Sequence, residues 1–147
     1  FVGGWDTTDQ ECEQYAVNLE KHGFLRREPP VSHSVCLREM QRSSVLLVLQ
    51  PDSPLQVPAK IYEYVATGRP LLLIGGEGAT ANLVARHGLG ASSPNHLTRI
   101  KALLKDVTSG AQPLTPPDAA RVNRFEYQSL TGELAAILDA VSRATPA

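Results

Sequence analysis

A parallel α/β sheet with helices on both faces is the fold class this sequence predicts. Short apolar runs alternate with segments of helical period. The run at residues 45–49 is continuous, as expected of a central parallel strand buried on both faces. Gly and Pro stand at most junctions between the two patterns, where one element must stop before the next begins.

With 147 residues, 42% of them hydrophobic, the chain has enough apolar material for one domain with its own core. The net charge is −1, with acidic and basic residues interspersed. That excludes the strong positive field of a nucleic-acid surface and a polybasic membrane patch. The longest apolar runs are far too short to span a bilayer. Cys12 and Cys36 are the only cysteines and lie in two predicted helical segments without metal-ligand spacing. Buried free thiols are expected, in keeping with a reducing cytoplasm. Residues 1–4 read as the end of a strand and a Gly turn without a lead-in, so the expectation is a fragment of a longer parent.

The elements follow in order. After the stub at 1–3, the Asp and Thr residues at 6–9 offer N-caps for a helix to about His22, closed by Gly23. Residues 24–26 read as a short strand. Pro29 and Pro30 break the chain before a helix at 31–42. After the strand at 45–49, a polar loop with two prolines spans 50–56. A helix at about 58–67 has Pro58 in its first turn and stops at Gly68. A strand at 71–74, a Gly-rich turn at 75–78 and a helix at 79–87 come next. Then a strand is predicted at 89–91 and a helix from Pro94 to about Val107. Residues 108–117 are a polar, Pro-rich linker. The last segment holds one or two helices, the final one at about 129–143, with Leu130, Leu134, Ile137, Leu138 and Val141 on one face.

Alternating strands and helices imply right-handed crossovers, so every strand's carboxyl end lies on one edge of the sheet, where ligands bind. That edge should gather Gly3, Gly4 and Trp5, Arg26 and Arg27, the loop at 50–54, the turn at 75–78, and Ser92 with Ser93. Lys60 sits in the first turn of its helix, where the unpaired N–H groups disfavour a cation. One explanation is a docked anion shared between Lys60 and the helix start at Val57 and Pro58. Glu63 follows one turn later, a rise of roughly 4.5 Å, about the spacing between a nucleotide's diphosphate and its ribose. An ammonium suits phosphate oxygens and a carboxylate suits ribose hydroxyls. The alternative is an exposed i,i+3 ion pair.

The turn containing Gly76, and the Gly3-Gly4 turn, could bring backbone N–H groups up to a ligand, or could simply need positive φ. Arg26 and Arg27 could contact phosphate or be a solvated pair. His22, His33, His87 and His96 share no spacing and are read as surface or structural, with no metal site. No Gly-x-Ser-x-Gly, nucleophile or general base stands out, so the catalytic residues are unassigned.

Residues 57–70 (VPAKIYEYVATGRP) resemble the P-x-K-x-x-E-Y-x-A-x-G-x-P signature of bacterial family-4-like (group 1) glycosyltransferases with the GT-B fold. Residues 1–4, 23–25, 43–49 and 88–92 agree with that family in order. The resemblance implies the C-terminal, Rossmann-like half of a two-domain enzyme of polysaccharide or glycolipid biosynthesis. Such a half binds a UDP- or GDP-sugar without a metal or other cofactor. Glu63 matches the second glutamate of the family's Glu-x7-Glu motif, which holds the donor ribose; Leu55 stands where the first would be. A saccharide or lipid-linked acceptor would be met by a missing N-terminal domain, without which the fragment would be inactive. The parent would be cytoplasmic, at the inner face of the membrane through peripheral association. The alternatives are a sugar-nucleotide epimerase of the same architecture and a non-catalytic α/β binding domain. A phosphoacceptor receiver would have only Asp6 and Asp52 for its acidic cluster.

Overall fold

The computed structural model describes residues 1–50 and 53–144. Asp52 and the tip of the 50–56 loop lie outside the described residues. The chain divides into two compact units, Phe1–Glu39 and Met40–Ala147.

In the first unit, α1 (Gln10–Lys21) starts where the capping chemistry says it should. The carboxylate of Asp9 accepts from the backbone N–H groups of Glu11 and Cys12, satisfying two of the donors a helix start leaves open. Gly23 in the left-handed region ends it, with the Phe24 N–H closing on the Leu19 carbonyl at 2.9 Å. That closure corrects the expected strand at 24–26. Phe24 is tied to the helix end and 81% exposed, and pairing begins only further on, as a single parallel bridge between Val2 and Glu28. α2 (His33–Arg42) follows the Pro-Pro break and carries the chain from the first unit into the second. Cys12 is exposed and Cys36 half-buried, so neither is the buried thiol expected.

The second unit is an α/β unit around a three-stranded parallel sheet, β1 (Leu46–Gln50), β2 (Leu71–Gly75) and β3 (Gly90–Ser93), in the order β1-β2-β3. α3 (Lys60–Ala66) and α4 (Ala79–Arg86) are the crossovers. α5 (Leu97–Ser109), α6 (Ala119–Asn123) and α7 (Tyr127–Ala144) complete it. α5 runs two residues into the expected linker, to where Gly110 adopts φ 78°.

The central strand is β2, not β1. Leu71 and Leu73 are fully buried and Leu72 nearly so, which needs cover on both faces. Leu72 meets Ala91 and Leu103 of α5, with Val107 and Leu114 packed against them. β1 instead alternates: Leu46, Val48 and Gln50 are buried, whereas Leu47 and Leu49 are 52% and 68% exposed. The expectation of a doubly buried strand at 45–49 is corrected by its place at the end of the strand order. A continuous apolar run does not by itself reveal which strand lies in the middle. Among the described residues no helix is long and apolar enough to cross a membrane.

Candidate functional site

The carboxyl ends of β1 and β2 build a cleft of about 260 Å³. Gln50 is in phase with Leu46 and Val48, so the strand's alternation carries its amide inward, where it is 7% exposed. Thr80, in the first turn of α4, is 2% exposed. Its hydroxyl lies 2.8 Å from the Gln56 carbonyl and 3.3 Å from Gln50 Oε1. The Gln50 side-chain amide reaches the Ser53 carbonyl at 3.4 Å. A buried polar group must be partnered or face something polar, and these two hold the loop after β1 against the start of α4.

Gly78 makes that closeness possible. Its φ is 157°, and a Cβ there would stand 2.5 Å from the Pro54 carbonyl oxygen. The next residue, Ala79, donates its N–H to the same carbonyl at 2.6 Å. Gly76 and Glu77 line the cleft with Ser53 and Pro54.

Of the residues singled out in the sequence, Gly76 lies in this cleft; Val57, Pro58, Lys60 and Glu63 are not among its lining. Lys60 is the first residue of α3 and is exposed, its Nζ 5.7 Å from the centre of the Tyr64 ring, within cation–π range. Glu63 is exposed one turn on. The helix starts two residues later than predicted. The Ile61 and Tyr62 N–H groups bond the Pro58 and Ala59 carbonyls at 3.0 and 3.1 Å. That tight first turn engages two of the donors the sequence reading offered to an anion.

Gly3, Gly4 and Arg26 belong to the first unit. The two glycines line a cavity of about 490 Å³ there, together with Trp5, Arg27 and Glu28. Arg26 is paired with Glu28 at 2.8 Å, both groups largely open to solvent. Arg27 is the better-held neighbour: its guanidinium bonds Glu13 at 2.9 Å and Glu20 at 2.7 Å and lies 5.1 Å from the Trp5 ring centre. The Trp5 indole N–H donates to the same Glu13 at 2.8 Å. These bonds to Arg27 hold the Glu13 and Glu20 carboxyls below their ordinary range, and the two carboxylates raise the Arg27 guanidinium in turn. Arg27 is thus a structural clamp.

The sequence placed Gln50 in the loop at the ligand edge but not its side chain on the core side of the strand, and Thr80 was missed. The signal for Gln50 was present, as a polar residue at the inward position of a strand whose other inward positions are Leu46 and Val48. Thr80 carried none, because its partners lie 24 and 30 residues away. No group of His, Cys, Asp and Glu among the described residues is arranged to hold a metal. Comparison with family models, with curated proteins and with solved structures gives no match.

Proposed function

We propose that the chain is the Rossmann-like, donor-binding domain of a GT-B glycosyltransferase. It would bind a UDP- or GDP-sugar for transfer to a saccharide or lipid-linked acceptor held by a second domain of the same parent. The observation that carries this reading is the neighbourhood of α3. An exposed Lys60 and Glu63 stand one turn apart on the crossover that leaves β1, and the cleft formed by Gln50, Ser53 and Gly76 lies where β1 and β2 end. A parallel sheet offers its ligand edge at these carboxyl ends. The Lys60 ammonium serves the diphosphate and the Glu63 carboxylate the ribose hydroxyls. With two backbone donors of the first turn already engaged, the lysine carries most of the charge on the leaving diphosphate, stabilising it as negative charge develops.

Titration of the wild type and of Glu63→Ala with UDP and with GDP tests the reading. The variant is expected to bind the preferred nucleotide about 1–3 kcal/mol more weakly, the cost of leaving ribose hydroxyls without their acceptor. Equal affinities in wild type and variant would remove Glu63 from the site, and no binding of either nucleotide to the wild type would remove the reading itself.

A further inference from the structure

At the opposite, amino-terminal edge of the sheet, α4 ends and the chain turns into β3 through Gly88. A cavity of about 500 Å³ opens there, and three arginines, Arg86, Arg121 and Arg124, line it with His87, against the single carboxylate of Asp118. In a chain with a net charge of −1 this is a local excess of positive charge. We propose that this cavity is a binding site for a phosphate-bearing anion, separate from the donor cleft.

The arginines of this cavity are loosely held. Arg27 in the first unit sits at 2.7 and 2.9 Å from its carboxylates. Here the Arg121–Asp118 and Arg124–Glu133 separations are 3.4 and 3.5 Å, both at exposed side chains, and Arg86 makes no ion pair among the described residues. A guanidinium has five N–H donors in a planar fork suited to phosphate oxygens, so these long single contacts leave most of them open.

Arg121 lies over the turn at Gly88 that ends α4. Gly88 has φ +58°, and a Cβ there would stand 2.6 Å from Arg121 Nη1, so a side chain at 88 would displace the guanidinium. Arg121 also reaches the Gly88 carbonyl at 3.4 Å. The Leu83, Val84 and Ala85 carbonyls near the end of α4 are met by backbone N–H groups of residues 87–89, so they do not consume Arg86 or Arg124.

His87 registers the local field. Partial burial, then the charges of Arg124 and Arg86, hold its imidazole below the ordinary value, with Glu133 on α7 acting in the opposite sense. Its ring packs edge-on against Phe125, 5.1 Å between centres. An anion bound among the arginines offsets their charge and moves the His87 titration upward.

The test is an NMR titration of the His87 ring, assigned with His87→Gln, in the full chain with inorganic pyrophosphate. In a parallel arm, vesicles containing phosphatidic acid replace it. The expected result is an upward shift of the His87 midpoint with pyrophosphate. Arg86→Gln, which breaks no ion pair, should weaken binding about tenfold, the scale of one charge-assisted hydrogen bond. Glu133→Gln, which frees Arg124, should strengthen it. Asp106→Asn, the same charge change on α5, should leave it as it was. A response to the vesicles alone assigns the same phosphate chemistry to a lipid headgroup. Failure of both probes to move His87, or equal affinity in wild type and Arg86→Gln, overturns the proposal. Loss of UDP and GDP binding in Glu63→Ala with the His87 response intact would separate the two sites.

Discussion

The Thr80 hydroxyl donates to the backbone carbonyl of Gln56 at 2.8 Å, joining the start of α4 to a loop 24 residues earlier. Thr80 is 2% exposed, so its hydroxyl cannot turn to bulk water instead. Thr80→Val is therefore expected to destabilise the fold by about 1 kcal/mol, the net worth of the hydrogen bond that ties α4 to the exposed Gln56. Thr80→Ser, which keeps the hydroxyl, should retain most of that stability. Urea denaturation of the three proteins checks the order.

Gly78 gives a second prediction at the same cleft. With φ at 157° and the Pro54 carbonyl 2.5 Å from any added Cβ, Gly78→Ala must push the 53–56 loop away from α4. The expected cost is about 1–3 kcal/mol, typical of a residue forced into a sparsely populated backbone region. On the proposed donor-binding reading, nucleotide affinity should fall with it, since Ser53 and Pro54 line the cleft. Unchanged affinity in a folded Gly78→Ala variant would detach the cleft from the donor site.

The two faces of the sheet predict opposite outcomes for the same substitution. Leu71→Ala, at a side chain with no exposure in the central strand, should cost about 2–5 kcal/mol. Leu47→Ala, on the open face of β1 at 52% exposure, should cost less than about 1 kcal/mol. Comparable losses for both would mean that the open face of β1 is covered in solution.

Acid should loosen the Arg27 clamp only after ordinary carboxylates have been protonated. Glu13 and Glu20 have carboxyls held below the ordinary carboxylate range by the Arg27 hydrogen bonds. A carboxylate whose folded value is depressed contributes stability that is fully present above its unfolded value. That stability is lost as the pH falls through the lower, folded one. The first unit is thus expected to keep this contribution at neutral pH and to lose it only below the ordinary carboxylate range. Trp5 lies in the network and is the only tryptophan in the chain, so its fluorescence reports the transition directly. Arg27→Gln should move that transition to higher pH.

Much of this architecture was legible in the sequence, and the reasons are local. Asp9 caps α1 through its own side chain, Gly23 ends that helix by its backbone freedom, and Gly68 with Pro70 separates α3 from β2. Such signals act over four or five residues, so boundaries came within a few positions of those found. Where two local signals competed, reading failed: the carbonyl of Leu19 drew Phe24 into the helix end and away from a strand.

The sequence by itself determined the order of strands and helices from Leu46 onward, because apolar period and turn residues are properties of neighbouring positions. It also placed Lys60 and Glu63 on one short helix, which needs only their spacing. The tertiary structure alone decided that β2, not β1, is central, since burial on both faces depends on what distant segments supply. It likewise joined Gln50 to Thr80 and Arg86 to Arg121, pairs about 30 residues apart whose meeting depends on the crossovers.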